Sequence, residues 1–251
     1  MRPYSALARY YSKFTENVEY KKRTDYILEL MRRHGCSEPH LLLDLACGAG
    51  GFSLELAERG VDVIGVDISE EMLAAAQTEM YSRGLRAMFI KQDMRELDLY
   101  GTVDTAICML DSLNHITDIG ELKKAVERVS LFLELGGLFI FDVNTLYKHK
   151  EVLSGSCYVY ECDGAVCVWS NSECSDDGTV NISLDIFEET ANSLYSRSTE
   201  NFSERAYDIA AFEEILADSG FNVCGVYGDM SFDKPSASEE RLYFAAKKLS
   251  Q

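Results

Sequence analysis

Nowhere in the 251 residues is there a run of roughly 20 uninterrupted apolar side chains, the length a helix needs to span a bilayer. Met1-Arg2-Pro3-Tyr4-Ser5 is followed by no apolar signal core, so a cytoplasmic location without membrane contact is expected. Basic residues are in deficit: 24 Lys and Arg stand against 42 Asp and Glu, a formal net charge of −18. Phosphate backbones bind mainly through Lys and Arg, so nucleic acid is disfavoured as a partner. The eight cysteines contain no C-x-x-C pair, which argues against structural zinc, and no metal site is expected. Cys157, Cys162, Cys167 and Cys174 cluster in a strand-rich segment and read as small packing residues. Internal repeats and low-complexity segments are also missing. The length suits one domain, or one domain with a small insertion.

What is present begins at Leu41-Leu42-Leu43-Asp44-Leu45-Ala46-Cys47-Gly48-Ala49-Gly50-Gly51. An apolar run of this kind reads as a buried parallel strand, and it stops at a glycine-rich turn. An amphipathic helix follows, then a second apolar strand, Val63-Ile64-Gly65-Val66, which ends in Asp67. Such a unit binds a nucleoside: glycines let backbone approach the ligand, and an acid at the second strand grips ribose hydroxyls. A dinucleotide site would present G-x-G-x-x-G to a pyrophosphate. Here Ala46 takes the first glycine position and Asp44 stands just before the turn, where a carboxylate repels a pyrophosphate. It suits a ligand bearing an ammonium and a sulfonium, as S-adenosylmethionine does. An NAD-dependent oxidoreductase is the competing and disfavoured reading.

Residues 1–35 look helical and carry many aromatics, ending at Gly35. Strands are expected at about 41–45, 62–66, 86–91, 103–109 and 138–143. Helices are expected at about 50–59, from the Ser69 N-cap to near Gly84, and at 119–134 before Gly136-Gly137. This alternation predicts a parallel sheet with helices on both faces. After Asn144 the period changes. Asp163-Gly164, Asp176-Asp177-Gly178 and Ala191-Asn192-Ser193 separate four antiparallel strands at about 157–162, 165–170, 179–188 and 194–204. A helix around Phe212, Ile215 and Leu216 and two closing strands, near Phe221–Tyr227 and Arg241–Lys247, complete a seven-stranded, mostly parallel α/β sheet. The expected division is a nucleoside-binding domain over 1–145 and 206–251, with an antiparallel insert over 146–205.

The ordered set D-x-A-C-G-x-G (44–50), Val66-Asp67-Ile68-Ser69, Gln92-Asp93-Met94, Leu110-Asp111-Ser112-Leu113-Asn114 and the closing Arg241-Leu242-Tyr243-Phe244 resembles class I S-adenosylmethionine (SAM)-dependent methyltransferases. The likeness is to the small-molecule branch, with the glycine, sarcosine and amino-sugar N-methyltransferases, and to bacterial methyltransferase-domain proteins. It covers nearly the whole chain, starting from Tyr11-x-x-Phe14, and implies a Rossmann-like fold.

Ligands of open α/β sheets sit beyond the carboxyl ends of the strands, where all the candidate residues map. Asp44 and the backbone of Ala46, Cys47 and Gly48 are expected around the methionine part. Asp67 is expected on the ribose, and Ile68 and Met72 on the adenine faces unless Met72 is plain core. In the Gln92-Asp93-Met94 turn, Asp93 either accepts from the adenine amino group or merely forms the turn, with the Met94 amide on a ring nitrogen. Met109 and Leu110 are expected near the transferred methyl. Tyr11 and Phe14 either contact the cofactor or pack. Arg23 either pairs the cofactor carboxylate or is an ordinary solvated arginine. His115 is the candidate base or substrate-positioning group, its ordinary pKa lying near neutrality. Asn114, with Asp111, shapes the loop or touches substrate, and Tyr160, Tyr195, Arg197 and Glu200 on the insert are pocket candidates.

The resemblance implies a methyltransferase acting on nitrogen or oxygen of a small molecule, releasing S-adenosylhomocysteine (SAH). The insert then serves as a substrate lid or a dimer contact, in a monomer or homodimer. A non-catalytic SAM-binding protein is the alternative. An RNA methyltransferase is weaker, being opposed by the acidity and by the lack of an N-P-P-Y motif.

Overall fold

The structure, a computed structural model, describes residues 14–162, 164–190 and 194–249. Tyr11, Asp163 and the expected Ala191-Asn192-Ser193 turn lie outside the described residues. After helix α1 (Tyr20–Arg33), the chain alternates β1 (Leu41–Leu45), α2 (Gly51–Glu58), β2 (Asp62–Asp67), α3 (Glu70–Ser82), β3 (Met88–Lys91), β4 (Val103–Cys108), α4 (Ile119–Phe132) and β5 (Leu133–Asn144). Four further strands follow: β6 (Cys157–Cys162), β7 (Ala165–Asn171), β8 (Thr179–Glu189) and β9 (Tyr195–Arg205). Helix α5 (Ile209–Asp218) leads into β10 (Phe221–Tyr227) and β11 (Arg241–Lys248).

Local chemistry explains most of these boundaries. The side chains of Ser69, Asp118 and Asp208 accept hydrogen bonds from the backbone N–H of Met72, Glu121 and Ala211, capping α3, α4 and α5. One boundary departs from expectation. The 119–134 helix stops at Phe132, and β5 begins at Leu133, which pairs with Val103. The chain then loops out through Gly136, whose φ of +81° suits glycine, and rejoins the ladder at Leu138 opposite Thr105.

The seven-stranded sheet has the order β10-β11-β5-β4-β1-β2-β3. Strands β1 to β5 run parallel, whereas β11 lies antiparallel to both β5 and β10. Successive residues of β1 and β5 bury on opposite faces, as pleating requires. On one face Leu43, Leu45, Phe139 and Phe141 pack with Val126 of α4, Phe212 of α5 and Phe244, whose ring stacks on Phe141 at 4.9 Å. On the other, Leu42, Ile107, Ile140 and Tyr243 pack with Tyr26, Ile27 and Leu30 of α1 and Leu56 of α2. Strand order reverses between β1 and β4, so their carboxyl ends diverge into a crevice. Among the described residues, no helix is long and apolar enough to cross a membrane.

Strands β6 to β9 form a separate four-stranded antiparallel sheet between β5 and α5. Its inner face carries Cys167, Val180, Ile182, Leu184 and Ile186. The cysteine packing reading holds for Cys167 but not for Cys157, which is exposed. Both connections to this sheet meet at Asn114, expected to shape the loop or to touch substrate. Its amide lies buried outside the cavity, donating to the carbonyls of Asn144 (3.2 Å) and Arg205 (2.9 Å) and accepting from Asn144 N–H (3.0 Å). That correction has a simple cause: three backbone groups at a junction between sheets need partners, and one amide supplies them. Asn114→Ala orphans all of them and should lower unfolding free energy by about 2–4 kcal/mol in urea melts. A loss below about 0.5 kcal/mol would contradict this role.

Candidate active site

A cavity of about 760 Å³ lies at the carboxyl ends of β1 to β4 and extends to the inner face of the second sheet. Its first wall is the turn after β1. Ala46 and Gly48 adopt left-handed φ values of 57° and 53°, and Gly50 one of 79°. A Cβ on Gly50 would stand 2.9 Å from the Ala76 methyl, so the turn can lie this close to α3 only with glycine there. Cys47 N–H donates to Val66 O at 3.0 Å and Gly48 N–H to Asp67 Oδ2 at 2.8 Å, lashing the turn to the end of β2. Asp67 Oδ1 accepts from Ser69 N–H at 2.8 Å. Burial pushes the Asp67 pKa up, opposed by these backbone donors.

Asp44 is fully buried under the same turn and takes the Ser53 hydroxyl at 2.5 Å. Burial raises its pKa to about 7, against the Ser53 bond and with the Asp67 charge adding. The neighbouring Cys47 thiol is pushed well up by burial, with Asp44 and Asp67 adding, so it is no nucleophile at neutral pH.

Ile68, Met72 and Met94 also line the cavity, as do Gln92 and Asp93. The Gln92 amide closes its own turn, donating to Asp98 O and accepting from Asp98 N–H, each at 2.9 Å. Asp93 caps the helical turn Met94–Glu96 and binds the Arg95 guanidinium, which lowers its pKa. Of the two expectations for Asp93, the turn-forming one describes its contacts.

Beyond β4, Met109 lines the cavity, and Leu110 and Asp111 take left-handed φ values of 56° and 53°. Backbone of this kind costs energy and must be held. Asp142, at the end of β5, accepts from Leu110 N–H at 2.6 Å and Asp111 N–H at 3.2 Å. Arg241 binds Asp142 with one nitrogen and Asp111 Oδ1, at 2.5 Å, with another. Burial opposes ionisation of Asp111, but Arg241, with Lys148, outweighs it and holds the pKa near about 2.

His115 ends the helical turn Ser112–His115 and lines the cavity, its ring 5.0 Å from that of Phe202. Its Nε2 lies 3.6 Å from Glu204 Oε1 on β9, and His149 Nε2 lies 3.8 Å from Glu204 Oε2. Burial lowers both imidazole pKa values, Asp111 partly opposing at His115. Burial and the Asp111 charge raise Glu204 to about 8, against Lys148 and Asn144. His149 Nδ1 sits 2.9 Å from the Gly178 carbonyl, which can only accept, so Nδ1 carries the proton. His149 Nε2 is then an acceptor, and among the described residues it has no hydrogen-bond partner. Glu204, its pKa raised, thus lies between two imidazoles whose pKa values are lowered, each Nε2 within ion-pair but not hydrogen-bond distance.

Five expected site residues lie elsewhere. Arg23 donates to Asp229 (2.8 Å), the Tyr243 hydroxyl (2.6 Å) and Val18 O (3.0 Å), which consumes its guanidinium inside the fold. Asn114 bridges the sheets, as described. Tyr195 and Arg197 face outward because β9 buries its even-numbered residues, Glu200, Phe202 and Glu204; Arg197 pairs there with Asp185 at 2.8 Å. Glu200 points inward without lining the cavity, whereas Tyr160 on β6 does line it. Sequence reasoning missed Lys148, Trp169, Phe202, Glu204 and Arg241. The parity of Ile182, Leu184 and Ile186, read across the hairpin, would have pointed to Phe202 and Glu204.

A sheet of this order, with a glycine turn after β1 and an acid ending β2, defines the class I methyltransferase fold. A family model described as "Methyltransferase domain" matches residues 42–137. "Putative methyltransferase YqeM" of Bacillus subtilis (strain 168) is 33% identical over 249 residues, covering 98% of this chain and 97% of that one. The crystal structure of a S-adenosylmethionine-dependent methyltransferase from Clostridium acetobutylicum ATCC 824 superposes with a TM-score of 0.87 at 32% identity, covering 98% and 99% of the two chains. Human glycine N-methyltransferase is 31% identical over 158 residues, 57% of this chain and 50% of that one. The chain belongs to the SAM-dependent methyltransferase family, and SAM is its cofactor. The site's own features fit that cofactor: a turn that excludes side chains at Gly50, a buried and a half-buried carboxylate, and flanking apolar Ile68 and Met72.

The acid on β9 yields a prediction about stability. A folded pKa near about 8 against the ordinary 4.5 means the native state holds the proton more tightly than the unfolded chain. Stability contributed at low pH is therefore lost progressively as pH rises between those values. Glu204→Gln, which mimics the protonated acid, should gain on wild type in urea melts from about pH 5 to about pH 8. A difference independent of pH would refute the assignment.

Proposed function

We propose that this enzyme methylates a nitrogen or oxygen of a small molecule held between the β1–β4 edge and residues 146–205, which act as a substrate lid on a donor domain formed by 1–145 and 206–251. The observation that carries the reading is the continuous cavity, with Asp44 and Asp67 at one end and His115, Tyr160 and Phe202 at the other. Its volume, about 760 Å³, falls within the roughly 300–1,000 Å³ range of small-molecule sites. The net charge of −18 disfavours an RNA substrate. One relative is named for N-methylation of glycine, itself a small amine.

When bound, SAM supplies a methyl group already activated by sulfonium charge. Asp44 faces its ammonium, and the backbone of Ala46, Cys47 and Gly48 lies along the methionine part. Asp67 has a further lone pair on each oxygen for the ribose hydroxyls. Ile68 and Met72 flank the adenine, beside the Asp93-Met94 turn. Met109 and Leu110 border the reacting centre and exclude water. His115 takes the proton released by the acceptor, with Glu204 Oε1 3.6 Å from its Nε2. The reaction runs in the cytoplasm.

Calorimetry with SAM and SAH tests the donor site. Both should bind, and Asp67→Ala should weaken binding at least tenfold; no binding, or no loss in the variant, sinks the reading. Asp44 adds a pH signature. Its pKa of about 7 in the free protein falls when a cation arrives, so binding releases a proton and tightens as pH rises from about 6 to about 7.5. Heats measured in buffers of different ionisation enthalpy would report that release, and proton uptake instead would contradict it.

A further inference from the structure

The insert presents an aromatic wall to the cavity: Tyr158 and Tyr160 from β6, Trp169 from β7 and Phe202 from β9. Trp169 meets Tyr158 edge-on at 6.0 Å and Tyr160 at 6.3 Å. Most polar groups around the wall are spent internally. The Tyr158 hydroxyl donates to Val152 O at 3.0 Å, and Trp169 Nε1 donates to Asn171 Oδ1 at 2.7 Å. Arg241 is occupied by Asp111 and Asp142.

Two groups differ. Lys148 Nζ makes one hydrogen bond, to the neutral Asn144 Oδ1 at 2.9 Å, and among the described residues no carboxylate lies within ion-pair distance of it. An ammonium has three donors, so two remain for a ligand. The Tyr160 hydroxyl has no hydrogen-bond partner among the described residues. Asp111 and Glu204 act on this ammonium from beyond ion-pair distance, and its two remaining donors, lining the cavity, can take an anionic group by hydrogen bonding.

We propose that the methyl acceptor is a flat aromatic molecule bearing an anionic group, its ring against Tyr160 and Trp169 and its anion on Lys148. This rests on the methyltransferase reading above and deepens it. An aromatic wall can also receive a cationic guest, but here the charges oppose one. Arg241 and Lys148 together balance Asp111 and Asp142, burial raises the Glu204 pKa, and the Lys148 ammonium repels a second cation. The cofactor's own carboxylate is the rival occupant of Lys148, since Arg23 is consumed elsewhere. Carboxylate and phosphate share the required chemistry.

Trp169 is the single tryptophan of the chain, so its emission reports on this wall directly. SAH-saturated protein is titrated with phenylacetate, phenyl phosphate, phenylacetamide and phenethylamine. One or both acids should quench saturably and bind at least tenfold tighter than the amide or the amine; the tighter acid identifies the anionic group. Lys148→Gln should abolish that preference while SAH affinity, read by calorimetry, stays within about twofold, and Lys148→Arg should keep it. No saturable quenching by either acid, or equal binding of the amide or amine, overturns the proposal. So does a Lys148→Gln variant that loses SAH, because Lys148 would then belong to the cofactor. Failure of the underlying reading shows separately, as wild-type protein that binds no SAH.

Discussion

A fully buried carboxylate on β5, that of Asp142, accepts two backbone N–H groups from the turn after β4 and a guanidinium from the first residue of β11. Taking such a charge out of water is expensive, and it is tolerated only when every lone pair finds a donor. The return is a turn in which Leu110 and Asp111 hold left-handed backbone conformations, each disfavoured by roughly 1–2 kcal/mol. Antiparallel β11 is what makes this arrangement reachable. Its reversed direction brings Arg241 opposite Asn144, at the edge where the parallel strands end. Remove the reversal and the guanidinium would sit at the far end of the sheet.

That edge divides the cavity electrostatically. Around the turn after β1, buried Asp44 and half-buried Asp67 are acids whose protons are held more tightly than usual, so a cation is the natural guest. Towards the insert, Arg241 and Lys148 balance Asp111 and Asp142, and Glu204, its pKa raised by burial, lies between His115 and His149. The two neighbouring ends of one cavity thus differ in charge, acidic at the donor turn and balanced towards the insert, with no metal ligand cluster among the described residues.

Legibility in the sequence followed the range of the interactions involved. The strands from Leu41 to Lys91, the Ser69 cap and the antiparallel meander are set by period, capping and turn chemistry within a few residues, and these could be read. Asp44, Ala46 and Asp67 were legible because they share one βα unit. Arg23 was not, since its partners Asp229 and Tyr243 lie over 200 residues away and nothing local announces them. Tyr195 and Arg197 were misplaced by one residue of strand parity, which a polar strand such as β9 leaves weakly marked. Lys148 and His149 sit on a short π-helix over Lys148–Leu153, a geometry without a dependable local pattern. The early start of β5 escaped because a helix ending at Phe132 and a strand beginning at Leu133 leave no linker to recognise.

The chain leaves the main sheet at Asn144 and returns at Arg205, and a single side-chain amide, Asn114, holds both points. Everything between them is, topologically, a closed loop rooted at one spot. The entropy of closing such a loop grows only slowly with its length. The donor sheet is consequently indifferent to how long or how shaped that excursion is, provided its two feet stay together. A scaffold with this property can exchange its excursion for another of different size and polarity while the methyl-donor end stays untouched. Asn114 is in effect the socket into which that excursion is plugged.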